Sequence, residues 1–252
     1  MQLLALLLML VSAVALAGEA ADAAKMESPK APVVVELFTS EGCSSCPSAD
    51  ALLRDLEASQ SVPGVEVIPL GLHVTYWDGL GWPDAYGNPM FADRQAHYAE
   101  VLGGGTYTPE MVVDGAVGFP GGRDRTLAAL KSASASPKAK IEVKVLKASK
   151  DAVEVEVSLA EGARPAGASL VVALTQSGLS SDVKRGENAG RVLKHAAVVR
   201  ALKVLPAAAK VTVTLPSRAG WDARSLNVVA FTQEREQMHV LGAARAPVAP
   251  QS

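Results

Sequence analysis

The stretch Val33-Val-Val-Glu-Leu-Phe-Thr-Ser-Glu-Gly-Cys-Ser-Ser-Cys-Pro47 decides the fold. From Val33 to Phe38 it is β-branched or apolar apart from Glu36, enough for one buried strand. Thr39 to Gly42 turn the chain, and the pair Cys43 and Cys46 follows. From Pro47 to Glu57 the sequence favours a helix, with Ala49, Leu52, Leu53 and Leu56 along one face. A dithiol therefore stands where a buried strand hands over to a helix. Unpaired backbone N–H groups and the helix dipole stabilise a thiolate at such a place. Cys43, at the helix mouth, is expected to be the exposed nucleophile, and Cys46, inside the first turn, the resolving thiol. Pro47 is tolerated because a first-turn N–H has no acceptor within the helix.

A second motif lies further on. Tyr107-Thr108-Pro109 precedes Met111-Val112-Val113, then a turn at Asp114-Gly115 and a short strand at Ala116-Val117-Gly118, a proline-led hairpin. Dithiol and proline together resemble the thioredoxin superfamily over Pro32 to Ser136. The resemblance implies that Pro109 is cis, that Thr108 precedes it beside the dithiol, and that this segment binds extended substrates. It also implies a buried acid assisting proton transfer at the resolving thiol, for which Glu36 is the candidate; the alternative is an acid at an open sheet edge. The strings V-E-L-F-T-S-E-G-C-S-S-C-P-S-A-D, H-V-T-Y-W-D, Y-T-P-E-M-V-V-D-G and R-G-E-N-A-G-R carry a closer resemblance. They are similar to a bacterial family of secreted thioredoxin-like proteins with no assigned function, over nearly the whole mature chain.

Composition narrows the classes. The chain has 252 residues, and 24 Lys and Arg stand against 26 Asp and Glu, with no basic run or aromatic-interleaved basic patch. Nucleic acid is therefore not an expected partner. Residues 1–17 read as a secretory signal peptide ending at Ala15-Leu16-Ala17, although no Lys or Arg precedes the apolar core. The alternative is an uncleaved anchor; the expectation is cleavage, no stable membrane insertion, and a periplasmic or secreted product. Residues 18–31 read as a flexible leader. In an oxidising compartment the two cysteines can form one bond, and a loop so short gives little stabilisation, so stapling explains the pair poorly.

Beyond the dithiol helix, Val65 to Leu72 is a second buried strand, followed by a Gly/Pro-punctuated segment holding Tyr76, Trp77 and Trp82. These aromatics suit either a structural lid or a substrate-facing rim. His73 ends the strand and could stand near the dithiol, because adjacent parallel strands share their C-terminal edge; a histidine satisfied by a backbone carbonyl is the plainer reading. Helices are expected at 89–102 and 123–134, and His97 is read as a surface residue without chemistry. At Ser132–Lys140 the composition shifts to Ser, Ala, Pro and Lys, and the hydrophobic period becomes two: Ile141, Val143 and Val145, then Val153, Val155 and Val157. Further strands are expected at 168–175, 191–205, 210–215, 226–232 and 238–243.

The expected architecture is an α/β thioredoxin-like domain at 32–136, in the order β-α-β-α-β-β-α, followed by a separate all-β antiparallel sandwich domain at 137–247. The polar stretch Lys184 to Arg191 is either a binding loop reaching toward the first domain or an ordinary solvated loop. His195 and His239 have no partners at metal-ligand spacing. The expected function is exported thiol–disulfide oxidoreduction by Cys43 and Cys46, with Pro109 and Glu36 assisting. Thr108, Met111, Trp77, Tyr76 and His73 would shape the substrate site. Partners would be protein or small-molecule thiols and disulfides, and no cofactor is required. Two other classes fit the same residues: a Cu(I)-binding pair of thiolates, and a non-enzymatic adaptor that binds a partner through its β half.

Overall fold

The computed structural model describes residues 30–249. The expected signal peptide and residues 18–29 of the leader lie outside the described residues. Strand β1 (Ala31–Thr39) is buried along nearly its whole length, as its apolar run requires. Helix α1 (Cys46–Ser59) carries the chain back, and β2 (Val65–His73) pairs with β1 in parallel, from Ala31 beside Val65 to Thr39 beside His73. The alternation of a strand places Val33, Val35 and Leu37 on one face, where they pack against Ala49, Leu52, Leu53 and Leu56 of α1. Val34 and Phe38 point the other way, toward Phe91 and Tyr98 of α2 (Pro89–Leu102). The Asn88 side chain caps α2 by accepting from the Met90 N–H, Pro89 opens the helix, and Gly103 ends it with a positive φ. The hairpin of β3 (Glu110–Val113) and β4 (Val117–Phe119) pairs antiparallel on the far side of β1, and α3 (Arg123–Ser134) packs Leu130 onto the α1 face.

Past α3 come β5 (Ile141–Ala148), β6 (Ala152–Leu159), β7 (Ser169–Gln176), β8 (Leu179–Asp182), β9 (Val192–His195), β10 (Val198–Pro206), β11 (Lys210–Pro216), β12 (Leu226–Gln233) and β13 (Val240–Pro247). The expected separate sandwich is overturned here. Strand β10 lies against the outer edge of β2, and one mixed eight-stranded sheet runs β13-β12-β7-β10-β2-β1-β3-β4 through both halves. Strand content far exceeds helix, and the architecture is not a thioredoxin-like domain followed by an independent all-β domain. A sandwich exists only locally, where the sheet β11-β6-β5 covers β7, β12 and part of β10 through Val153, Val155, Val157, Val172, Leu174 and Val228.

Close backbone contacts explain the join. Gly71 donates to the Ala197 carbonyl at 2.8 Å, and a Cβ at Gly71 would meet the Ala196 carbonyl at 3.2 Å. Gly115, with φ +69, faces the Met238 carbonyl, which a Cβ would strike at 1.8 Å. The Ser/Ala/Pro/Lys segment expected to be a boundary is tied in as well. Ala139 donates to the Leu241 carbonyl, and Lys138 forms a buried ion pair with Asp114. A second difference is that the expected strand 191–205 is two strands. Ala197, with φ +50, breaks it, and β9 pairs instead with β8 as a two-stranded ribbon.

Candidate redox-active site

The dithiol is held by the end of β1 and the start of α1. The Cys43 N–H donates to the Ser40 carbonyl and the Cys46 N–H to the Cys43 carbonyl, each at 3.2 Å. Cys43 and Cys46 form a disulfide, with Cα atoms 5.5 Å apart. The peptide bond between Thr108 and Pro109 is cis. It lies beside the disulfide: the Ser45 hydroxyl donates to the Thr108 carbonyl at 3.5 Å and stands 3.4 Å from the Cys43 sulfur. One expectation fails. Cys43 is not exposed; both cysteines have 0% accessibility, while Ser44 and Ser45 between them face solvent.

Two distant segments clasp the dithiol turn. From the long insert after β2, Trp77 packs against Gly42, where a Cβ would meet the Trp77 Cβ at 3.0 Å, and its indole N–H donates to the Thr108 hydroxyl at 2.8 Å. From the connection between β8 and β9, the Asn188 amide donates to the Glu41 and Cys43 carbonyls, both at 2.9 Å. Glu187 accepts from the Ser44 N–H at 3.0 Å. The stretch Lys184 to Arg191 therefore does reach the dithiol.

Beneath the turn lies a buried cluster of which the sequence anticipated only His73 near the dithiol. The Asp84 carboxylate accepts from His73 Nδ1 at 2.7 Å and from the Glu41 N–H at 2.8 Å. The Glu41 carboxylate faces His195 Nε2 at 3.1 Å and accepts from the Trp82 indole at 2.7 Å. The two imidazole rings meet edge to face at 4.9 Å, and Tyr86 packs on both. Asp50, one helical turn beyond Cys46 on the same side of α1, accepts from the Thr39 hydroxyl at 3.2 Å.

Protonation follows from these neighbours. Burial raises the Asp50 carboxyl above the usual range, more than the nearby histidines and Thr39 lower it. Burial also works against the charge of Asp84, but His73 and two backbone N–H donors overcome it and hold this carboxyl low. For His73, burial works against the charged ring, but Asp84, with Asp50 and Glu41, outweighs it and raises its affinity for a proton. Glu41 is likewise held low despite burial and the neighbouring Asp84, through His195, Ser181 and Trp82.

The other expected site residues separate. Thr108, Pro109 and Trp77 come together at the dithiol. Tyr76 is half-exposed and donates to Gln95 at 3.1 Å, and burial pushes its phenol up to about 12. Met111 is not at the mouth; it is fully buried in the core, its sulfur accepting from the Thr126 hydroxyl. Glu36 faces α2, away from α1, with its carboxylate committed to Arg94 and the Tyr98 hydroxyl. Asp50 is instead a buried acid one helical turn past Cys46. The signals for the missed residues were faint: an acid in the turn just before Cys43, an aspartate after Trp82-Pro83, and a histidine alternating into β9. Among the described residues no group of three or more His, Cys, Asp or Glu side chains has a geometry that could hold a metal ion.

Residues 34–233 match the model of a family described as a protein of unknown function, DUF1223. The chain belongs to this family. It is similar to a protein of Agrobacterium tumefaciens solved by X-ray crystallography, at 26% identity and TM-score 0.64, covering 88% of this chain and 97% of that one. It shares a fold with HBP35 of Porphyromonas gingivalis, at 15% identity and TM-score 0.60, covering 87% of this chain and 76% of the other. No curated protein matches the sequence. What this chain shares with the two solved structures is a fold.

Proposed function

We propose that this DUF1223 protein is an exported thiol–disulfide exchange protein whose redox bond is stored under a cover. The observation that carries the reading is the Cys43–Cys46 disulfide at the mouth of α1, with Pro109 beside it through Ser45. The local unit's resemblance to the thioredoxin superfamily and the apolar run at 1–17 support chemistry and export respectively. Among the described residues no helix is long and apolar enough to cross a membrane.

A partner thiolate would attack the Cys43 sulfur. A mixed disulfide forms, the Cys43–Cys46 bond breaks, and the electron pair leaves on Cys46 as a thiolate. Asp50, the acid placed by the helical repeat on the Cys46 side, supplies the proton that neutralises it. A second partner thiolate then attacks its own sulfur in the mixed disulfide and expels Cys43. The partner ends oxidised to a disulfide and the protein reduced by two electrons; the reverse sequence reduces a partner. Because Cys43 is buried, attack requires Glu187, Asn188 and the Trp77 insert to move aside.

Incubating the reduced Cys46→Ala variant with disulfide-containing proteins should trap a mixed disulfide on Cys43: the Cys43 thiolate attacks the partner's disulfide, one partner sulfur leaves as a thiolate, and dithiothreitol reverses the bond. A native disulfide that excess dithiothreitol reduces only on unfolding would defeat the proposal. That result would favour a second reading, supported by the complete burial: the bond braces the turn that Asn188 and Glu187 hold, and the protein binds without redox chemistry. In that case the double variant Cys43→Ser, Cys46→Ser loses thermal stability and captures nothing covalently.

A further inference from the structure

Arg200 occupies a β-bulge. The pairing of β10 with β7 jumps from Val199 opposite Thr175 to Ala201 opposite Leu174, which leaves Arg200 as the extra residue. A bulge re-aims the side chain it carries. Here it brings the guanidinium carbon over two aromatic rings, 4.4 Å from the centre of Trp221 and 5.1 Å from that of Tyr86. The rings stabilise a cation by their faces but accept nothing from its in-plane N–H groups. Arg200 makes no ion pair or hydrogen bond with a described residue, and its Nη1 is buried without an acceptor. Partial burial works against its charge, Tyr86 works in its favour, and the exposed cation Arg218 works against it.

Arg200 as a whole is partly exposed, but its Nη1 is buried, and a buried guanidinium N–H is ordinarily met by a carboxylate, as those of Arg94 are by Glu36. Against that pattern, an arginine set by a backbone irregularity into an aromatic seat, with a second arginine nearby and no acid, is built to receive negative charge from outside. The planar fork suits two oxygens of one group. The structure assigns to Arg200, Arg218, Trp221 and Tyr86 a binding site for a small oxyanion, the carboxylate or phosphate group of a ligand. The site is independent of the dithiol chemistry. It is nonetheless adjacent: Tyr86 also packs on His73 and His195, which bond to Asp84 and Glu41 under the dithiol turn.

Titration calorimetry on the full oxidised chain, at constant ionic strength held with chloride, tests the assignment with inorganic phosphate and with acetate. Saturable binding of either is expected, and which of them binds names the ligand's anionic group. Arg200→Gln should weaken it about tenfold or more, the loss expected for a charge-assisted bidentate contact. No saturable binding to the parent, or equal binding to Arg200→Gln, overturns the site. If Arg200→Gln does not fold, Arg218→Gln decides: weaker binding supports the site, and unaltered binding rejects it.

Discussion

Glu36 and Glu41 leave the same strand and its turn, both are buried, and they meet opposite kinds of partner. Glu36 lies between Arg94 and Tyr98 and is held further by α2, with Gln233 of β12 bonded to the same Arg94 and Tyr98. Arg94 keeps its charge throughout the ordinary pH range, and the Gln233 bonds tie this cluster to the other half. Glu41 meets His195, and its neighbour Asp84 meets His73; imidazoles titrate near neutrality. One carboxylate is fixed in a strut and the other in an adjustable network directly under the dithiol. Burial alone does not mark a functional acid; the kind of partner does.

The largest effect should come from breaking the strut. Glu36→Gln strands the buried Arg94 charge and is expected to cost about 3–5 kcal/mol in urea unfolding. The rate at which dithiothreitol reduces the folded fraction should stay within about twofold of the parent, because the strut does not touch the sulfurs. A changed rate with little loss of stability would erase the distinction between the two acids.

The cover comes next. Asn188→Ala leaves the Glu41 and Cys43 carbonyls without their donor, at a cost of about 1–3 kcal/mol. If that energy holds the cover shut, reduction of the disulfide should quicken about tenfold. An unaltered rate would show that the Trp77 insert alone controls access.

The pH dependence of stability separates the networks again. Asp84 and Glu41 bind protons more weakly folded than unfolded. Their contribution is present above the ordinary 3.8 and 4.5, and is lost as pH falls through their lower folded values. His73 binds its proton more tightly when folded, so its contribution is full below 6.5 and is lost as pH rises through its higher folded value. Asp50 works in the same sense as His73: with its folded value raised, stability falls as pH rises above 3.8 toward that value. Urea midpoints across pH should therefore show a decline above 6.5 that His73→Asn flattens and Glu36→Gln does not. The smallest expected effect is at Asp50→Asn, a near-isosteric change in a group that burial already favours uncharged. It should leave stability within about 1 kcal/mol near neutral pH, yet slow dithiol exchange by removing the proton source. Unchanged exchange rates across pH would remove Asp50 from the chemistry.

Local signals carried much of the secondary structure. Asn88-Pro89 and Gly103 bound α2 at the expected residues, and Arg123–Ser134 forms the expected α3. The dithiol and the proline-led hairpin were also legible, each from a run of contiguous residues; the cis bond at Pro109 came only from the resemblance, and Lys184–Arg191 was open between a binding loop and a solvated one. What failed was pairing. A buried strand such as β2 looks the same whether its outer edge is covered or joined to β10, and the period-two pattern of β7 or β12 does not say which sheet receives it. Ala197 adopts its left-handed backbone without the Gly or Asn that would announce a break, so β9 and β10 read as one strand. The cluster was hidden for a related reason. Glu41 and His195 are 154 residues apart in sequence, and neither stands in a motif of its own.

The clasp over the dithiol has a consequence for biosynthesis. Cys43 is translated long before Asn188, 145 positions earlier, so a nascent chain carries its sulfurs bare until the β8–β9 ribbon has been made. Until that ribbon has folded into place an oxidant can reach the pair, and its closure then covers the sulfurs.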